Sequence, residues 1–279
     1  MLWEIKMKVG VQIVFRSDDV IQKIERAKEL GFEYFQLVCW NTELYTDENA
    51  SAINEVTERL GMKISSFWAG WSGDKTWNFV EGPVTLGIVP EKYRRTRLED
   101  LKLGSDFAKK IGADKVVTHA GFIPENMTDP NFMPVVEAIR EIADHCKKNG
   151  QCFLFETGQE TPVVLLRVIE VSGCDNLGVN YDTANLILYG KANPVDGLEV
   201  IGRYVMDVHA KDGVYPTTGT ELGKEKKIGE GRVDFPGVVA KLKELGYEGT
   251  LTIEREISGE QQILDIIDAK KYLEELING

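Results

Sequence analysis

Three carboxylates and one imidazole stand out in the second half of this 279-residue chain: Glu156, Asp182, His209 and Glu254. Each lies at or near the end of a short β-rich run, Cys152–Glu156, Leu177–Asp182, Val205–Lys211 and Thr250–Glu254. The first three are 26 and 27 residues apart, the length of one strand–helix unit, and the fourth follows 45 residues later because a charged loop intervenes. If those strands run parallel and side by side, the four groups converge. Three negative charges that close cannot all stay ionised without a cation among them. Three oxygen donors and one nitrogen suit a single divalent ion, Mn²⁺, Mg²⁺, Co²⁺ or Zn²⁺, and the ligand types alone do not choose between these. Taken singly, a strand-end carboxylate more often caps a helix or pairs with a lysine; four on neighbouring strands favour the ion. Such a set suits proton abstraction beside a carbonyl. The ion polarises the C=O and holds a developing ene-diolate, one carboxylate takes the α-proton, and another returns it. Return to the opposite face is epimerisation, return to the next carbon is aldose–ketose isomerisation, and loss of a β-hydroxyl is dehydration.

Apolar runs before these positions alternate with amphipathic segments along the whole chain. Strands are expected at Lys8–Val14, Glu33–Val38, Lys63–Trp68 and Lys115–His119, besides the four above. Helices are expected from Ser17-Asp18-Asp19 to about Leu30, and over about Asp47–Leu60, Pro90–Ile111, Asn131–Asn149, Thr161–Val171, Pro194–Ile201, Phe235–Leu245 and Glu260–Ile277. Several end in Leu-Gly-Phe/Met/Tyr or Ile-Gly-Ala, where glycine takes the left-handed turn that stops a helix and the next apolar residue packs beneath it. The strands are too apolar to face water, as parallel strands covered by helices are. Eight such units predict a single (β/α)₈ TIM barrel domain over residues 1–279, whose chemistry lies at the C-terminal ends of its strands. An open dinucleotide-binding sheet is the rival, but Phe15-Arg-Ser-Asp18 follows the first strand in place of a Gly-rich turn.

Composition narrows the partners. Lys and Arg number 33 against 45 Asp and Glu, a net charge of -12, so nucleic acid and anionic membrane are poor partners. No apolar run reaches spanning length, and the first residues, Met1-Leu-Trp-Glu-Ile-Lys-Met-Lys8, lack the features of a signal peptide. Cys39, Cys146, Cys152 and Cys174 are scattered without a CxxC pair and read as reduced thiols, which makes a cytoplasmic enzyme the expectation.

Other residues belong near the mouth. Strand alternation gives Asp207 and Lys211 the parity of His209, and gives Thr252 and Glu256 that of Glu254. Lys211 then contacts a substrate oxygen or pairs with Asp212 or Glu256. His119 ends the fourth strand, either for a polar contact or proton transfer or as a hydrogen-bonded structural histidine. Gln159 and Glu160 follow Glu156 and either bond substrate hydroxyls or cap the next helix. Trp40, Trp68 and Trp71 follow strands two and three, where they stack on a substrate ring, close the pocket or simply pack. His145, mid-helix, is read as a surface or packing residue. Gly229-Glu-Gly231 is too weak a pair for a phosphate cradle, and Arg232 beside it either meets a phosphate or, the better reading, lies on the surface.

Five segments, among them Phe153-Leu-Phe-Glu-Thr-Gly-Gln-Glu-Thr161, Asn176-Leu-Gly-Val-Asn-Tyr-Asp-Thr-Ala-Asn185, Val208-His-Ala-Lys-Asp212 and Gly246-Tyr-Glu-Gly-Thr-Leu-Thr-Ile-Glu-Arg-Glu256, resemble the xylose isomerase-like barrels of the sugar-phosphate isomerase/epimerase type. The resemblance covers nearly the whole chain. It implies that Glu156, Asp182, His209 and Glu254 bind one divalent metal and that Glu156 and Glu254 are the acid/base pair. The implied activity is isomerisation or epimerisation of a sugar, sugar phosphate or keto-sugar. The alternatives are a lyase of the inosose dehydratase or 3-keto-glycoside type and a non-catalytic carbohydrate-binding barrel. His119, Lys211, Gln159, Glu160, Trp68 and Asn185 are then the candidate substrate contacts. Asn185 stands where ketohexose epimerases carry a substrate-touching histidine, which argues against a ketohexose epimerase proper. The DNA-repair endonucleases of this superfamily use several histidines on three zinc ions; three histidines in all and an acidic charge argue against that branch. By analogy a homo-oligomer is expected.

Overall fold

The computed structural model describes residues 7–17 and 19–279. Among the described residues ten strands occur in chain order: β1 (Lys8–Phe15), β2 (Tyr34–Cys39), β3 (Lys63–Ala69), β4 (Lys115–Thr118), β5 (Cys152–Glu156), β6 (Leu177–Asp182), β7 (Val205–Ala210), β8 (Asp212–Val214), β9 (Lys224–Lys226) and β10 (Thr250–Ile253). Eight of them close into a barrel of order β1-β10-β7-β6-β5-β4-β3-β2, every pair parallel. The helices are α1 (Val20–Glu29), α2 (Asp47–Leu60), α3 (Gly82–Thr85), α4 (Glu91–Lys110), α5 (Phe132–Lys148), α6 (Pro162–Ser172), α7 (Thr183–Leu188), α8 (Pro194–Ile201), α9 (Phe235–Glu244) and α10 (Glu260–Asn278). The protein is therefore a (β/α)₈ barrel, as the alternation predicts. Three elements were not foreseen: α3, α7 directly after Asp182, and the antiparallel β8–β9 hairpin inside the charged loop.

Local sequence explains most boundaries. Thr46, Thr161, Asn193 and Asp234 accept the N–H groups that open α2, α6, α8 and α9, and proline stands in the first turn of the last three. Gly61 and Gly173 close α2 and α6 at φ +62° and +67°, a region closed to most side chains. The helix start expected at Ser17-Asp18-Asp19 is followed directly by α1 at Val20. Asp18 lies outside the described residues, and Asp19 caps nothing: its own backbone is already helical, and its carboxylate pairs with Lys23 at 2.8 Å.

Two apolar layers result from strand alternation. Phe35, Leu37, Phe67, Phe153, Phe155 and Val179 point outward and pack under the helices in the main core. Inside the barrel, Val38, Trp68, Val117 and Leu154, with Val14, form a smaller cluster. The rest of the interior is polar and buried, with Gln36, Ser66, Asn180, Asp207 and Thr252. Among the described residues no helix is long and apolar enough to cross a membrane. The four cysteines are free thiols, two buried and two half-buried.

Candidate metal centre and substrate pocket

Register brings the four sequence-selected groups together. Glu156 on β5 lies opposite Asn180, Asp182 on β6 opposite His209, and His209 on β7 opposite Thr252 of β10. Glu254, two residues beyond Thr252, leaves the strand on the same face. One ligand-type atom from each of Glu156, Asp182, His209 and Glu254 lies within 4.8 Å of all the others. The hub is His209 Nδ1, which is 2.9 Å from Glu254 Oε2, 3.3 Å from Glu156 Oε1 and 3.5 Å from Asp182 Oδ2. All four side chains are buried, yet Asp182 Oδ2, His209 Nδ1 and Glu254 Oε2 are aligned for no hydrogen bond. Buried lone pairs turned to one point, three hard oxygens and an imidazole, fit a divalent cation. This cluster can hold a metal ion.

Its electrostatics follow from crowding. Burial pushes the Asp182 carboxyl up to about 7, against the pull of Lys211 and His209. Burial acts on Glu156 and Glu254 too, but His119 and His209 beside the first, and Lys211 and His209 beside the second, hold both below the usual carboxylate range. Burial would likewise depress His209; Glu156 and Glu254 override it and hold the imidazole well above its ordinary value. Protons at His209 and Asp182 therefore balance the excess negative charge that a cation would otherwise neutralise.

The ligands are held from outside the cluster. The Trp68 indole N–H donates to Glu156 Oε2, and Asn185 Nδ2 donates to Glu156 Oε1 at 3.1 Å. Asp182 does two jobs: Oδ1 caps α7 by accepting the Asn185 N–H at 2.7 Å, which leaves Oδ2 for the cluster. The helix-capping and ligand roles of this carboxylate coexist, one oxygen each.

Lys211 has a salt bridge to Glu256 (2.8 Å) and also lies 3.6 Å from Glu254 Oε2 and 3.8 Å from Asp182 Oδ2. Asp212 is turned elsewhere, its carboxylate gathering the backbone N–H groups of Gly213, Gly229, Gly231 and Val233. The Gly229-Glu-Gly231 pair thus wraps an internal carboxylate. His119 Nε2 is 3.4 Å from Glu156 Oε1, and burial holds its pKa below the usual histidine value.

A cavity of about 790 Å³ reaches the cluster, walled by Trp40, Trp68, Trp77, His119, Lys75 and Tyr189. Trp40 stacks tilted on Trp68 at 4.5 Å, and Trp77 meets both Trp40 and His119 edge-on. Sequence reasoning missed Trp77, Lys75 and Gln12, which also line it. The aromatic, Gly-rich connection after β3 marked a loop, but nothing local says that it folds back over the mouth. Trp71 takes the packing alternative: it is fully buried behind the lining, donates to Thr118 Oγ1 at 3.2 Å, stacks on the Arg97 guanidinium and meets Trp40 edge-on. Gln159 and Glu160 are buried beside the pocket and off its lining. Gln159 donates to the Tyr189 hydroxyl at 3.0 Å, both Glu160 oxygens lack a partner, and Thr161 caps α6 in their stead. His145 pairs with Asp106 on the outer surface at 2.7 Å, as expected of a helix-face residue.

A closed parallel barrel with an acidic, imidazole-bearing cluster at its strand ends defines a class of protein, and the sequence pattern of one such class matches residues 24–276. The chain belongs to the xylose isomerase-like TIM barrel family. A xylose isomerase domain protein from Planctomyces limnophilus superposes with a TM-score of 0.91 at 31% identity, covering 97% of each chain. An uncharacterised protein of Methanocaldococcus jannaschii is 27% identical over 99% of this chain and 91% of its own length. The inosose dehydratase of Lacticaseibacillus casei is 22% identical over 55% of this chain and 57% of its own.

Proposed function

We propose that the protein is a divalent-metal-dependent isomerase or epimerase of a sugar, sugar phosphate or keto-sugar. The observation that carries this reading is the set of four buried ligand atoms within 4.8 Å of one another on a cavity roomy enough for a sugar. Glu156, Asp182, His209 and Glu254 are the residues that would hold the ion. When bound, a divalent ion supplies Lewis-acid polarisation of a carbonyl and offsets the charge that develops as the adjacent carbon loses its proton. The chain does the rest. Glu156 and Glu254, both kept ionised by neighbouring cations, are the proton-transfer pair, one removing the α-proton and the other returning it. Trp68 and Asn185 hold Glu156 through one oxygen each. Trp40 and Trp77 present apolar faces to a sugar ring, and His119 offers its imidazole to a hydroxyl. Gln159, beside the pocket, orients the Tyr189 hydroxyl that lines it.

Elimination is a second reading on the same site, favoured by the buried Lys211 ammonium between Glu254 and Glu256. A cation there can protonate a departing β-hydroxyl after the shared first step. The test is α-proton exchange: the Mn²⁺-loaded protein is incubated in D₂O with a panel of keto-sugars and followed by NMR, with mass spectrometry for lost water. Deuterium uptake that disappears in Glu254→Gln supports the proton-transfer reading. No washout across the panel, with bound metal verified, overturns it, and sugar binding that survives Glu254→Gln without any turnover points to a binding barrel.

A further inference from the structure

His209 meets the cluster through one ring nitrogen only. The other, Nε2, lies 2.7 Å from Oε1 of Gln36, a fully buried side chain on β2 that is 173 residues away in sequence. Gln36 is held in that orientation from its far end. Its Nε2 donates to Ser66 Oγ at 2.8 Å and to Asn180 Oδ1 at 3.4 Å. Ser66 Oγ in turn donates to Asp207 Oδ2 at 2.5 Å, and Asp207 Oδ1 accepts the Val208 N–H at 2.9 Å and the Thr252 hydroxyl at 3.4 Å. Gln36, Ser66, Asn180, Asp207 and Thr252 are all buried, so water does not compete for these bonds.

The polarity of this chain is set at one end. A carboxylate can only accept, so Asp207 claims the Ser66 proton. The Ser66 lone pair must then receive an amide hydrogen, which puts the NH₂ group of Gln36 on that side and its carbonyl against His209. A carbonyl can only accept, so His209 must carry a proton on Nε2. The nitrogen left to face the three carboxylates is Nδ1. With the Gln36 amide reversed, its C=O would face a serine oxygen whose proton is already committed, and its NH₂ would lose the Asn180 oxygen that now accepts from it. Metal-binding histidines are generally oriented by an acceptor on the second nitrogen, and losing that acceptor weakens the metal by about 10–100-fold.

We infer that Gln36, Ser66 and Asp207 form a positioning relay that holds His209 as its Nε2–H tautomer and so turns the Nδ1 lone pair toward a bound cation. The inference rests on the reading of the cluster as a metal site. It concerns three side chains that touch neither cation nor sugar, and register explains why they meet. Gln36 pairs with Ser66 between β2 and β3, and Asn180 with Asp207 between β6 and β7, each at an irregular step that resets the ladder.

The test is Zn²⁺ binding by the full chain, measured calorimetrically, with ¹⁵N spectra of the histidine rings in the Zn²⁺-loaded protein. Wild type should show His209 metal-bound at Nδ1 and protonated at Nε2. Gln36→Leu should weaken Zn²⁺ by about 10–100-fold. Ser66→Ala, which deletes one hydroxyl and leaves Gln36 in place, should weaken it by a smaller factor. Gln36→Glu, which restores an acceptor opposite Nε2, should recover part of the loss, and Thr57→Val, a buried hydroxyl outside the relay, should change nothing. A wild type that takes up no Zn²⁺ overturns the metal reading itself. Normal wild-type affinity with unchanged affinity in Gln36→Leu or Ser66→Ala, or a spectrum with the metal on Nε2, overturns the relay alone. Should Gln36→Leu fail to fold, Ser66→Ala and the wild-type spectrum decide.

Discussion

Lys211 and Glu256 form a 2.8 Å ion pair whose ends sit in different media: the lysine side chain is 3% exposed and the glutamate 56%. Burial alone would strip the charge from such a lysine. Glu254, Glu256 and Asp182 together hold its pKa well above the ordinary value, so a permanent cation faces the pocket. Replacing Lys211 by Met removes a fixed positive charge beside Glu254 and should lower turnover of the responsive keto-sugar by about 10²–10³-fold, the usual worth of one preorganised electrostatic contact. Glu256→Gln, which removes only the solvent-side partner, should cost far less. The kcat of purified, folded variants checks both, and wild-type turnover in Lys211→Met would remove the lysine from the reaction.

Metal and protons should compete for the cluster. In the metal-free protein burial raises the Asp182 carboxyl to about 7, and Glu156 and Glu254 raise His209 well above its usual value, so the cluster retains protons near neutrality. A divalent ion must displace those protons, so affinity should rise with pH through 7, by about tenfold per unit for each proton released. Calorimetry of Mn²⁺ binding in buffers of different ionisation enthalpy gives the proton count, and a pH-independent affinity would contradict the assignment. Binding only to the folded state should also stabilise it, by about 2.7 kcal/mol at an ion concentration of 100 Kd. Chelation should lower the Tm correspondingly.

Glu160 makes a separate pH prediction. Burial lifts its carboxyl from 4.5 to about 8, with both oxygens unpartnered. The folded state keeps the proton that the unfolded chain gives up above 4.5. Wild-type stability from this group is therefore whole below pH 4.5 and is lost as pH rises toward 8. At about 1.4 kcal/mol per unit, the loss is on the order of 4 kcal/mol. Glu160→Gln has no such proton, so its stability advantage over wild type should grow between pH 5 and 8. Denaturant melts at three pH values would show it, and parallel curves would refute it.

Gly231 is committed to the Asp212 anchor. A Cβ there would lie 2.0 Å from Asp212 Oδ1 and 2.6 Å from the Gly213 nitrogen. Gly231→Ala must push the carboxylate out of its four N–H bonds and loosen the loop around the β8–β9 hairpin. The expected cost is about 3 kcal/mol, or roughly 5–10 °C in Tm. A thermal melt measures it directly.

Much of the barrel was legible in the chain. Apolar four-to-eight-residue runs, helix-stopping glycines and Ser/Thr/Asn/Asp caps are local signals, and they located all eight barrel strands and most helices to within one or two residues. The ligand set was legible for a related reason. Once strands are parallel and consecutive, their ends must converge, so Glu156, Asp182, His209 and Glu254 were selected by position and residue type. Trp77, Lys75 and the burial of Trp71 were not, because they depend on how a long loop folds back over the barrel mouth.

By itself the sequence determined the alternation of elements, their polarity in the sheet and the residue types at the strand ends, since these follow from periodicities of two and 3.6 and from capping chemistry. Only closure of the barrel decided which distant side chains share its interior. Gln36 reaches His209, and Ser66 reaches Asp207, because irregular steps in two strand pairs set their register, and register is a property of pairs that no single strand encodes.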